Sequence, residues 1–362
     1  MNGFTISIPP LSTFAYKLAE LAAVYLGLDR EPDRFVVTDL TAFKDRLRQV
    51  VETARDMRVR IQFTGNDNRY FVSSYSDWLR LNKYSSPLDL LSKYAETVDT
   101  LVNDRRLFSP PSILKINFYE YERRMGLKDS KAELRLDGHQ IALCLAGAHI
   151  ALTNRVGDNI AVFLLLPRTP SLIVLKEGER LRRTHERLRE ALRHVIRGKE
   201  IPPTSVMLLY LSASLILKGD VHDDGVFGSM ALVQESGNRA SILSVDDITT
   251  HGLVRLLRDN ERRAASACLT LIDAYLDVRS RNMGSDFVRL IEGSSSNLLV
   301  YSISGSLDAL YNAVSGFDRL ARLLRDPQTV SKLRMKAENA SWVARSADIL
   351  SAHLAETYKV SI

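Results

Sequence analysis

Arginine recurs between Glu179 and Arg197 at intervals that suit phosphate binding along a helix. At about 100° per residue, Leu181, Leu188, Leu192 and Val195 fall on one stripe. Arg182, Arg183, Arg187, Arg189, Arg193 and Arg197 share the opposite arc with Glu186, Glu190 and His194. Guanidinium groups keep their charge and grip phosphate oxygens in a fork, so one face is expected to pack while the other follows a nucleic-acid backbone. The competing reading is a solvated helix laced by pairs such as Glu179 with Arg183 and Glu190 with Arg193. The two acids on the arc cannot satisfy all six arginines. A membrane-surface helix fits less well, because the apolar stripe lacks Trp and Phe anchors.

Smaller basic sets stand at helical spacing around Arg262 (Arg255, Arg258, Arg262, Arg263) and around Arg322 (Arg319, Arg322, Arg325). Arg262 and Arg322 are the members taken as extensions of one positive surface. The alternative is ordinary pairing with Asp259, Glu261, Asp318 and Asp326. Aromatic and basic residues adjoin in Asn68-Arg69-Tyr70-Phe71 and in Phe118 to Arg124, a composition that can stack bases.

One acidic loop, Asp220-Val221-His222-Asp223-Asp224-Gly225, invites a metal reading, since a His-Asp pair is part of metal-dependent phosphohydrolase sites. Those sites need further His and Asp ligands, and no other histidine follows a matching pattern. A turn accounts for the glycine and clustered acids. The chain carries no phosphate loop of the GxxxxGKS type, no strand-GxGxxG-helix and no GxSxG elbow, so no cofactor or catalytic residue is assigned.

The elements that would carry these residues read as α+β. A short strand ends at Pro9-Pro10, and helices follow on the stripes Phe14 to Leu28 and Leu40, Phe43, Leu47, Val50, Ala54 and Met57. Val59, Ile61 and Phe63 alternate, and after Gly65-Asn66-Asp67-Asn68 a return strand is expected at Tyr70 to Val72. Ser86-Pro87 opens another helix. Further strands are expected at Ile141 to Leu145, Ile160 to Leu166 and Ser171 to Leu175, mostly in antiparallel pairing because the intervening turns are short.

From Lys176 helices dominate, apart from a hairpin between Gly228 and Val245 turning at Ser236-Gly237-Asn238. Ser244 and Asp247 read as a capping box for the next helix. Two long helices end the chain, one over about 306–325 and one continuing nearly to Tyr358. The last has two apolar faces, with Leu333, Ala337, Ala340, Ala344 and Ala347 nearly opposite Met335, Trp342 and Ile349, so Trp342 is expected to be enclosed by its own bundle or by a partner. The expected domains are a mixed α/β domain at 1–175, a helix-rich middle region at 176–305 and a C-terminal helical segment at 306–362.

With 362 residues, 45% of them hydrophobic and 25% charged, the chain can bury more than one core. Of the formal charge of +6, most lies in residues 151–200, which hold 11 basic and 6 acidic side chains. The uncharged run between Glu200 and Lys218 is short and polar for a membrane span and reads as a buried helix. Met1 to Pro10 lacks the pattern of a secretory signal. Cys144 and Cys268 stand apart in apolar surroundings, as reduced core residues of a cytoplasmic protein would.

In length, in the order of an α/β portion before an all-helical end, and in basic helices such as 181–197 and 307–325, the chain resembles the Cas8a family, the large subunit of archaeal type I-A CRISPR effector complexes. The resemblance implies a non-enzymatic subunit of an antiviral ribonucleoprotein that contacts guide RNA and target DNA, works beside other protein subunits and needs no membrane. In such complexes base pairing reads the sequence, so positive channels matter more than a catalytic pocket. The two alternatives are a metal-dependent nuclease or phosphohydrolase using Asp220 to Asp224, and a scaffold that binds only protein through its last helix.

Overall fold

The computed structural model describes residues 3–57, 59–81, 85–116, 134–157, 159–166, 178–196, 200–218, 227–236, 239–259 and 261–361. Two compact units divide the chain, Met1–Glu186 with Gly228–Asp247, and Arg187–Phe227 with Ile248–Ile362. This division differs from the three consecutive stretches expected from sequence. The strands around 228–247 belong with the N-terminal portion, and 306–362 is not separate from the helices before it.

In the first unit β1 (Phe4–Ser7) leads to α1 (Phe14–Leu26), begun by the Thr13 hydroxyl accepting the Tyr16 N–H and ended by Gly27 at φ 63°. β2 (Asp29–Arg30) and β3 (Arg34–Val37) complete an antiparallel sheet in the order β1-β3-β2, with Phe4 opposite Val37. The Asp39 carboxylate caps α2 (Leu40–Arg55), which buries Phe43, Leu47, Val51 and Ala54. α3 (Ser73–Leu79) continues a π-helical turn at Asp67–Val72, and α4 (Pro87–Leu101) opens on a capping box of Ser86 and Asp89. β4 (Leu107–Phe108) pairs with β5 (Leu136–Asp137), and Asp137 forms a second capping box with Gln140 at α5 (Gly138–Ala151).

β6 (Leu152–Val156) and β7 (Ile160–Leu165) precede α6 (Gly178–Val195) and α7 (Thr204–Leu217). β8 (Phe227–Ser236) and β9 (Arg239–Thr249) then complete a sheet in the order β6-β7-β8-β9. Pairing is antiparallel where β6 meets β7, as the short turn between them required, and also where β7 meets β8 across the two intervening helices. α1 and α5 are buried along nearly their whole lengths and pack on each other at the centre of this unit. Each large apolar side chain enclosed there, such as Phe14 or Leu18, contributes about 1.5–3 kcal/mol. Beside them the buried Glu20 carboxylate accepts from Tyr16 Oη at 2.7 Å and Arg30 Nη1 at 3.0 Å. Burial, reinforced by that bond, pushes the Tyr16 phenol well above its ordinary range.

The second unit is helical. α7, buried from Ser205 to Ile216, packs on α8 (His251–Leu257), α9 (Arg263–Ser280) and α10 (Ser285–Ser304). α11 (Leu307–Leu323), α12 (Pro327–Lys332) and α13 (Ala337–Ser361) follow, with α13 lying against both α9 and α11. Among the described residues no helix is long and apolar enough to cross a membrane. The whole is α+β, with antiparallel sheets first and helices last. Cys144 and Cys268 are buried free thiols, each raised in pKa by burial.

Several local expectations fail for physical reasons. Residues 59–63 belong to no strand, although Val59, Ile61 and Phe63 pack into the core, and Tyr70 to Val72 are helical. The ring of Phe71 instead stacks on that of Tyr75 one turn later, 5.1 Å away. Ile141 to Leu145 belong to α5, a helix with no exposed face and so no visible helical period. Ser244 and Asp247 lie in β9 rather than at a helix start. The last long helix is interrupted before α13, where Arg334 takes φ 50°. Trp342, expected to be enclosed, is 60% exposed, because α13 packs through Ala340, Val343, Ala344, Ala347, Leu350 and Leu354. Ser171 to Leu175 lie outside the described residues, as do Phe118 to Arg124 and the acidic loop.

Candidate nucleic-acid interface

α6 places its apolar stripe as the spacing requires, with Leu188, Leu192 and Val195 buried and Leu181 packed on the core of the first unit. Its arginines differ among themselves. Arg183 is exposed and pairs with Glu179 at 3.3 Å. Arg182 pairs with Glu186 at 3.2 Å and lies over the Tyr25 ring, whose hydroxyl is 2.8 Å from His185 Nδ1. Arg187 and Arg193 are half-buried and Arg189 is buried. Burial, with repulsion from Arg189, lowers the pKa of the Arg193 guanidinium. Glu190 pairs with Lys218 at 2.6 Å, and that bond, with a smaller contribution from the Arg193 charge, lowers its pKa. Every described acid of this helix therefore has a cationic partner. Arg197 lies outside the described residues.

Arg322 is exposed on α11 and paired with Asp318, while Arg325 pairs with Asp348. Arg262 is placed differently. It precedes α9 with φ 57°, and its Nη1 donates to the Leu217 carbonyl at 3.1 Å, a neutral acceptor, while among the described residues it forms no ion pair. Arg262 borders a groove of about 1110 Å³ in the second unit, together with Leu217, Trp342, Arg345, Ile349 and Glu356.

Acids in this groove are largely committed elsewhere. Asp259 accepts from the N–H groups of Arg263 and Ala264 at 2.9 and 2.8 Å, satisfying the start of α9. Glu261 pairs with Arg263. Arg345 is exposed, and among the described residues no carboxylate pairs with it. Glu356 follows it by three turns of α13, a rise of about 16 Å. The groove therefore presents two cations, Arg262 and Arg345, that form no ion pair among the described residues, with the exposed indole of Trp342 one turn before Arg345.

Among the described residues read as sites from sequence, Arg262 lines this groove, beside Arg263 of the same basic set. Trp342 and Arg345 were not selected with it, although their separation of three residues on a helix was a usable signal. No family model and no curated protein matches the chain.

Proposed function

We propose that the chain is a non-catalytic nucleic-acid-binding protein that uses the groove of the second unit. The observation that carries this reading is an exposed Trp342 in one groove with two cations, Arg345 and Arg262, neither of which forms an ion pair among the described residues. An indole stacks on any base, and guanidinium groups meet phosphates, so the groove suits a strand read without regard to sequence.

The test is fluorescence anisotropy with a labelled oligonucleotide of mixed sequence. Arg262→Glu with Arg345→Glu should weaken binding at least about tenfold and reduce the slope of log affinity against log salt by about two. Trp342→Ala should weaken it by a stacking contribution of about 1–3 kcal/mol with little change in salt slope. Wild-type affinity and slope in the folded double variant would remove the groove from consideration and leave Arg183, Arg187 and Arg193 to be reversed next.

The resemblance to Cas8a extends the proposal to a CRISPR interference complex in which the ligands are guide RNA and target DNA, bound beside other protein subunits in the cytoplasm. Purification from the native cell should then recover a discrete guide RNA with the chain. Recovery of the chain without RNA would end that extension and leave the groove reading in place.

A further inference from the structure

We infer that the first unit holds a separate pocket for a nucleoside monophosphate, built around Tyr70. A cavity of about 330 Å³ opens between the π-helical turn Asp67–Val72 and the 3-10 turn Ser112–Lys115. This is the lower end of the size range of small-ligand sites. Tyr70 borders it and is 65% exposed, with the Arg69 guanidinium 5.3 Å from its ring centre. Asn66 supplies an exposed amide, and Lys115 an exposed ammonium that no carboxylate pairs with among the described residues.

The two walls are fixed to each other by one buried carboxylate. Asp67 Oδ1 accepts from the Ser112 N–H at 2.7 Å and from Ser112 Oγ at 2.8 Å, and Oδ2 accepts from the Thr64 N–H at 3.0 Å. Both oxygens are thus occupied with protein donors, and the Lys115 turn is tied to the Tyr70 turn in advance of any ligand. The π-helical winding is itself uncommon and recurs at functional sites. Inside the same turn Phe71 and Val72 face the core while Tyr70 stays out, so the exposed ring is not a packing residue.

An aromatic ring, an amide and one cation lining a cavity of this size, with the Arg69 guanidinium beside the ring, match a planar base carrying one phosphate. The base would stack on Tyr70, its edge would meet Asn66, and the phosphate would lie toward Lys115 and Arg69. The same chemistry is offered by a free nucleotide and by the terminal nucleotide of a strand. None of these residues lines the groove of the second unit, so the two sites stand or fall apart.

Ligand-observed NMR titration of the full chain with UMP, AMP, the matching nucleosides and inorganic phosphate tests the assignment. Wild type should bind both monophosphates saturably, and more tightly than either nucleoside or phosphate alone. Tyr70→Ala should weaken monophosphate binding at least about tenfold, while Tyr70→Phe keeps it. Lys115→Ala should weaken the monophosphates but not the nucleosides. A 5′-phosphorylated dinucleotide that binds more tightly than UMP identifies a strand terminus, and equal affinity identifies a free nucleotide. Binding should survive in the Arg262→Glu, Arg345→Glu variant. Absence of saturable monophosphate binding by wild type, or Tyr70→Ala binding as wild type does, overturns the pocket. Loss of binding only in the groove variant would reassign the ligand to the second unit.

Discussion

Gly147→Ala should destabilise the first unit by about 3 kcal/mol or more, measured by urea unfolding. An added Cβ at this position would stand 1.9 Å from the Leu18 carbonyl oxygen and 2.5 Å from its carbon. Both are backbone atoms of α1, so no side chain can swing aside, and the two helices must separate. Overfilling a packed core costs about 1–3 kcal/mol when side chains can adjust, and separating two buried helices belongs at or above the upper end of that range. Gly293→Ala is the control. Gly293 also lies inside a helix, α10, but nothing stands within 4 Å of its added Cβ. There the substitution should stabilise by up to about 1 kcal/mol through helix propensity. Equal responses at the two glycines would mean that α1 and α5 are not in backbone contact.

That contact marks where the sequence stopped being readable. α2 and α4 were legible because each has one apolar stripe and a side-chain cap, Asp39 in one case and the Ser86-Asp89 box in the other. α5 has a box too, at Asp137 and Gln140, but all fourteen of its residues are buried. Without a polar face there is no helical period to detect, and a continuous apolar run reads as a strand. α13 posed the reverse problem. Its pattern showed two apolar faces, and nothing in spacing told which of them would meet α9 and α11 and which would leave Trp342 outside.

The candidate sites were less legible than the fold, for a related reason. Periodicity placed six arginines of α6 on one arc, yet it did not distinguish exposed Arg183 from buried Arg189, since that depends on what packs over the helix. The groove assembles Leu217, Arg262 and Arg345 from three distant stretches. Around Tyr70 the adjacent Arg69 was visible in the sequence. The pairing of that turn with Ser112 depends on where the Asp67 side chain goes, and spacing does not carry that information.

Stability of the first unit should fall as pH drops from about 6.5 to 4, and His149 should account for about 3 kcal/mol of the loss. The ring is buried inside α5, and among the described residues its Nε2 has no hydrogen-bond partner. Burial alone, with no charged neighbour contributing, lowers its pKa to about 4. Between the two pKa values the unfolded chain binds a proton that the folded chain refuses, so protonation favours unfolding. The contribution is fully present above about pH 6.5, declines as pH falls and is spent below about 4. His139 differs in environment, because Tyr94 Oη at 2.7 Å and the Leu101 carbonyl at 3.0 Å engage both of its nitrogens. Burial lowers its pKa as well, so it contributes in the same direction. The informative measurement is therefore the difference between wild type and His149→Leu across the pH range. Leu removes both the orphaned nitrogen and the titration, so the variant should gain on wild type steadily as pH falls, by about 3 kcal/mol at pH 4. Parallel stability profiles for the two proteins would show that His149 is either solvated or paired in the folded state.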